Sequence, residues 1–170
     1  MWTLLKLSLL LLASPVARAA PVVADRDPDV VAAQVAPISA EALYPKLLDL
    51  RTYEAALDCT RKWERGDSSK GIGASARTTY KVGLMRRRLV MVIAKADEND
   101  HVDLDHAGKK GFVTRWKLEP QGDSTRIEVH TYIQAPPRPF QSYYFNKVQP
   151  AWAACQDRAI TSVIQAASGS

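Results

Sequence analysis

The segment from Phe112 to Ile133 leaves little choice of structure. Phe112, Thr114, Trp116 and Leu118 alternate with Val113, Arg115, Lys117 and Glu119. Past the turn residues Glu119 to Ser124, the residues Ile127, Val129, Thr131 and Ile133 alternate in the same way. A period of two predicts an antiparallel hairpin with one face turned inward. Arg115 and Lys117 against Glu128 predict a solvent-side charge match on the other face. One apolar sheet face needs a second layer to cover it, so the rest of the chain must supply that layer.

The preceding segments read as more of the same sheet. Val30 to Pro37 predicts a first strand, and two short helices follow over 40–50 and 51–58. Ser39 suits a helix N-cap and Glu41 the first turn. Pro45 fits a helix only near its start. Strands are predicted over 60–66, 74–84, 87–96 and 101–107, with Ala76, Thr78, Tyr80 and Val82 sharing one side. Glycine-bearing turns lie at 70–73 and 108–111. The first lacks the lysine and following helix of a phosphate loop. Beyond the corner Gln134–Pro137, the residues Tyr144, Val148, Trp152, Cys155, Ala159 and Val163 form one helical stripe. Pro150 predicts the start of the main helix, with a separate short helix before it. This terminal helix is the only segment long enough to lie across the sheet. A sheet curved around a single helix often leaves a hollow between them.

The N-terminus has a different character. Lys6 precedes the apolar run Leu7 to Ala13, and a small-residue exit follows at Ala17-Arg18-Ala19. This predicts a secretory signal peptide over residues 1–19, a flexible leader over 20–28, and a periplasmic or secreted protein. The run is too short for a membrane anchor. Removing residues 1–19 takes away Lys6 and Arg18 and no acid, so the formal charge of +5 falls to +3. So mild a balance does not point to nucleic acid. The basic run Arg86 to Arg88 reads either as a protected strand surface or as an attractor of anionic groups. Cys59 and Cys155 are the two cysteines. In an oxidising compartment they are expected to form a disulfide, and two buried thiols are the alternative.

The segments VAAQVAPISAEALYPKLLDLRTYEAAL, GDSSKGIGASARTTYKVGL and STRIEVHTYI carry a resemblance in layout. Their order and punctuation resemble the START-like, or SRPBCC, superfamily, which includes the polyketide cyclase/lipid transport family. The resemblance covers residues 29–167 and implies an α+β helix-grip fold. In that fold a seven-stranded curved antiparallel sheet wraps a long C-terminal helix, with two short helices after the first strand. It also implies an apolar or amphipathic small-molecule ligand between sheet and helix. The superfamily has no universal catalytic signature, so function must come from the site itself.

The inward face mixes aromatics with hydroxyls, as a pocket with a few orienting polar groups would. Thr78, Tyr80, Phe112, Thr114, Trp116, Val129, Thr131, Tyr144 and Trp152 are therefore the expected cavity lining. The threonines also suit a strand without any pocket. The cluster Asp97, Asp100, His101, Asp103, Asp105 and His106 is interrupted in strand rhythm by Val102 and Leu104. That predicts a charged outer face rather than a calcium loop. His130 is expected on the surface beside Glu128. No GxSxG is present and neither cysteine has a histidine neighbour, so no catalytic residue is assigned. No metal or cofactor is expected. Phe140, Tyr143, Tyr144 and Phe145 read either as a lip in transient contact with a membrane or as ordinary packing. The expected function is an exported, non-enzymatic carrier of a lipid-like molecule. A cyclase/aromatase-type enzyme and a protein-interaction module with a filled core are the alternatives, and oligomeric state is left open.

Overall fold

Seven strands form one antiparallel sheet in the order β1-β7-β6-β5-β4-β3-β2. The computed structural model describes residues 27–108, 111–133 and 138–169. The expected signal peptide, most of the leader, the turn residues Lys109 and Lys110, and the corner Gln134–Pro137 lie outside them. The strands are β1 (Val30–Ala36), β2 (Thr60–Arg65), β3 (Ser75–Val82), β4 (Met85–Asp97), β5 (His101–Ala107), β6 (Phe112–Gln121) and β7 (Ser124–Ile133). Helices α1 (Ala40–Leu47) and α2 (Leu50–Ala56) join β1 to β2. This is the predicted α+β helix-grip architecture.

Two tight hairpins set the register. Gly122 opens the β6–β7 turn at φ 64°, and Gly83 opens the β3–β4 turn at φ 56°. A side chain is strained at either angle. A Cβ on Gly83 would also lie 3.0 Å from the Tyr143 hydroxyl. Leu118 pairs with Ile127, Trp116 with Val129, and Thr114 with Thr131. The inward residues of the two strands therefore meet face to face, as their alternation predicts. Both strands run further into the turn than the sequence suggests, because Glu119, Pro120 and Gln121 remain paired.

Charges on the outer face pair differently from the simple expectation. Lys117 does face Glu128 across the ladder. Glu128 instead accepts from Arg126 at 2.8 Å and meets His130 at 2.9 Å. Arg115 reaches the other way and holds Asp103 through two hydrogen bonds of 2.7 and 2.8 Å. Asp103 is buried beneath it, so this part of the acidic strand is a covered ion pair.

The C-terminal helix departs from expectation in an informative way. Helix α3 (Arg138–Tyr143), a π-helical turn (Tyr144–Val148) and α4 (Gln149–Ser168) follow one another without a break. Pro150 does lie in the first turn of α4, but no separate helix precedes it. The Gln149 amide bonds the Tyr144 carbonyl, five residues back. This wider turn absorbs the hydrogen bond that proline cannot make, so the helix continues instead of breaking. Pro45 likewise sits inside α1 rather than at its start.

Helix α4 packs against β1, α1 and α2. Gln34 of β1 donates to Asp157 and Thr161 of α4, fixing the helix on that side. A disulfide joins Cys59 to Cys155 and so ties the start of β2 to the middle of α4. Beside it Arg158 binds Asp58 at 2.6 and 3.1 Å. The core is the layer between sheet and helix, where Leu104, Leu118, Ile127, Cys155, Ala159 and Val163 are almost wholly buried.

Candidate functional site

The inner face of the sheet brings polar groups into this core. Val102, Leu104 and His106 alternate inward on β5, while His101, Asp103 and Asp105 take the other face. His106 thus leaves the acidic cluster in which its sequence neighbours place it. It is buried, pairs with Phe112 on β6 and with Met91 on β4, and stacks on the Phe112 ring at 4.1 Å. Its Nδ1 lies 3.0 Å from the Tyr80 hydroxyl. Tyr80 comes from β3, so the contact spans β4.

Burial decides the protonation of this pair. Loss of water pushes the His106 imidazole down to about 3 and the Tyr80 phenol well above its ordinary value. Both groups are neutral at physiological pH. The Tyr80 O–H has two acceptors in reach, His106 Nδ1 and the Met91 sulfur at 3.7 Å. A thioether is the weaker acceptor, so the proton goes to Nδ1. The ring proton of His106 then sits on Nε2. That atom is buried without a hydrogen-bond partner among the described residues, and so is the Thr114 hydroxyl.

Around the pair stands a cage of aromatic rings. Tyr80 meets His106, Phe112 and Trp152 edge to face at 5.5, 5.8 and 5.3 Å. Phe112 and Trp152 are 5.1 Å apart. Each such contact is worth about 0.5–1.5 kcal/mol beyond burial. The Trp152 indole N–H donates to the Thr131 hydroxyl at 3.2 Å, which pins the start of α4 to β7. Phe112 is the half-buried member of the cage, and the rest are sealed.

The residues expected to line a cavity therefore separate into groups. Tyr80, Phe112, Thr131 and Trp152 come together around His106. Thr114 lies next to Thr131 in the ladder. Trp116 packs edge-on against Tyr53 of α2 at 5.5 Å. Val129 pairs with it from β7. Thr78 is buried with its hydroxyl given to the Leu89 carbonyl. Tyr144 is buried in the π turn against Phe145. Sequence reading missed His106, although continuing the alternation from Val102 and Leu104 reaches it.

In the acidic cluster, His101 Nδ1 is 2.7 Å from Asp100, and its Nε2 is 3.3 Å from Asp97. His130 pairs with Glu128 on the outer face, as its position in the strand predicts.

No protein-family model matches the sequence, and no curated protein matches it. Solved structures do match. The KanY protein superposes with a TM-score of 0.68 at 14% identity, over 82% of this chain and 96% of that one. The major latex-like protein 151 of Panax ginseng gives 0.60 at 8% identity, over 81% and 95%. The Zhui aromatase/cyclase of Streptomyces sp. R1128 gives 0.57 at 12% identity, over 82% and 92%. Identities this low speak for the fold and not for a shared activity. The chain shares the helix-grip fold of these solved structures.

Proposed function

We propose that this protein binds a lipid-like small molecule between the sheet and the C-terminal helix. The observation that carries the reading is the polar pair left unmatched inside an apolar cage. The Nε2–H of His106 and the hydroxyl of Thr114 are buried without partners among the described residues. Each such group costs about 1–3 kcal/mol unless something answers it. A guest with an apolar body and an acceptor oxygen answers both needs at once. Half-buried Phe112 is the ring such a guest displaces on entry. The fold supports the reading, since the solved structures with this architecture include an aromatase/cyclase. Mass spectrometry of an organic extract, made from protein purified out of its native compartment, is expected to find one bound apolar compound.

Export belongs to the same proposal. The signal-like N-terminus supports it, and so does the Cys59–Cys155 disulfide, which suits an oxidising compartment. Among the described residues no helix is long and apolar enough to cross a membrane.

A brief membrane contact would load such a carrier. Leu84 is 90% exposed at the β3–β4 turn, and Phe140 is 62% exposed on α3. The two elements touch, because the Leu84 amide donates to the Tyr143 hydroxyl at 3.0 Å. Arg61, Lys81 and Arg86 line one surface depression together with Leu84. Neither 81–88 nor 138–148 contains an acid. An apolar tip beside these cations suits an anionic bilayer. Replacing Leu84 and Phe140 together by Glu is expected to weaken binding to phosphatidylglycerol-containing vesicles by about tenfold or more, from roughly 1.5 kcal/mol per apolar side chain. Equal sedimentation of both proteins with vesicles contradicts this contact.

A second reading rests on the Tyr80–His106 hydrogen bond. A neutral phenol and imidazole in a dry site can polarise a carbonyl, as a cyclase/aromatase-type enzyme requires. Turnover of a polyketide-like substrate, lost on replacing Tyr80 by Phe, would favour this reading over a carrier.

A further inference from the structure

We infer that the guest carries an oxyanion head group, held by Arg87 at the rim of the sheet–helix interior. This deepens the small-molecule reading and rests on it. Residues of β4 alternate, and Leu89, Met91 and Ile93 point into the core. The same alternation turns Arg87 inward, between Met85 and Leu89, while Arg86 and Arg88 are exposed on the other side. Arg87 is half-buried and sits opposite the sealed Tyr80 in the β3–β4 ladder. It makes no hydrogen bond or ion pair among the described residues.

Among the described residues of the sheet, the other charged side chain on this face is Arg65 at the end of β2, which pairs with Ala76 in the ladder and is held by Glu54 of α2 at 2.8 Å. The inward positions of β1, β5, β6 and β7 hold apolar residues, threonines, Gln34 and His106. On β3 they hold Ala76, Thr78, Tyr80 and Val82. Past a bulge between Ile93 and Lys95, the acidic end of β4 is directed outward. A guanidinium turned toward an apolar interior normally has an acid beside it. Here no acid among the described residues pairs with it, and Arg87 sits across the ladder from Tyr80. A planar fork of donors fits a carboxylate or a phosphate, and either can be the head of an apolar chain. The chain would then run from Arg87 past Tyr80 and Phe112 toward Trp152. Partial exposure of Arg87 lets the head group keep some water while the body is buried.

Position distinguishes this role from general surface charge. Arg88 has the same chemistry, neighbours Arg87 in sequence and faces outward. Its replacement changes net charge by the same amount and leaves the interior alone.

The test compares dodecanoate, dodecyl phosphate and dodecan-1-ol by calorimetric titration of the wild type, Arg87→Gln, Arg87→Lys and Arg88→Gln. At least one of the two anions is expected to bind the wild type about tenfold or more tighter than the alcohol, from the strength of a charge-assisted hydrogen bond. Arg87→Gln is expected to erase that preference while keeping the alcohol affinity, Arg87→Lys to retain part of it, and Arg88→Gln all of it. The anion that shows the preference identifies the head group as carboxylate or phosphate. Alcohol binding equal to that of both anions overturns the inference and leaves the small-molecule reading standing. A preference that survives in Arg87→Gln, or disappears in Arg88→Gln, also overturns it. If none of the three binds, the small-molecule reading fails and this inference fails with it.

Discussion

Replacing Cys59 and Cys155 together by Ala is expected to lower the unfolding free energy by roughly 4–5 kcal/mol. The disulfide spans 96 residues of sequence. Releasing so long a loop returns entropy to the unfolded chain in about that amount on the chain-entropy account. For a chain of this size the melting temperature should fall by roughly 10–20 °C. The bond links the start of β2, a sheet edge, to α4. The remaining ties there are the exposed Arg158–Asp58 pair and the packing of α2 on α4. An exposed pair adds about 1 kcal/mol or less and cannot replace the bond. Urea unfolding of both proteins, followed by circular dichroism, measures the difference. Equal midpoints would show that the bond contributes nothing to the fold.

Acid is expected to destabilise the protein through His106 well before most carboxylates respond. The imidazole is pushed from an ordinary 6.5 to about 3 in the folded chain. The unfolded chain therefore takes up a proton near pH 6.5 that the folded chain refuses. Stability from the neutral ring is complete above that pH and is lost as pH falls toward about 3. The slope approaches 1.4 kcal/mol per pH unit, or about 2–3 kcal/mol between pH 6.5 and 4.5. Glu64, Asp97 and Glu128 are held below their ordinary values by Lys62, Lys95 and Arg126, so their contribution is lost at lower pH. Tyr80 and Phe112 contact the ring, and Met91 pairs with His106 in the ladder. Of these only Tyr80 titrates, far above this window. His106→Asn keeps an acceptor for the Tyr80 hydroxyl and should flatten the slope. An unchanged slope in that variant would place the acid sensitivity elsewhere.

The strands were the legible part of the sequence, because alternation is a local signal that survives into the structure. Phe112 to Leu118 and Ile127 to Ile133 meet in the register their pattern demands. His106 was less legible for a physical reason. Its sequence neighbours are acids, and composition groups it with them, while the pleat separates it from Asp103 and Asp105. Arg87 was hidden similarly within a basic run whose outer members, Arg86 and Arg88, are solvated. Periodicity assigns each to a face, but only the fold shows that β4 presents that face to Tyr80. The uninterrupted terminal helix could not be read either. Proline normally ends a helix, and the π turn that accommodates Pro150 has no sequence signature of its own.

Threonines on the inner strands gave an ambiguous message, and the structure shows why. Thr78 satisfies itself on the Leu89 carbonyl, and Thr131 serves Trp152, so both have structural work. Thr114 has the same strand propensity and the same burial but no such partner among the described residues. Residue type alone does not separate the three. The separation comes from what stands across the strand.

The central claim is that the interior between β3–β7 and α4 receives an apolar guest. The most direct measurement is mass spectrometry of protein isolated from its native compartment, first intact under native conditions and then as an organic extract. The account predicts an added mass on the intact protein and one amphipathic compound in the extract, near one per chain. It also predicts that Trp152→Ala, which opens the cage and frees Thr131, changes the amount recovered. Protein that emerges at its bare mass, with an extract holding no more than a background of membrane lipids, would contradict the account.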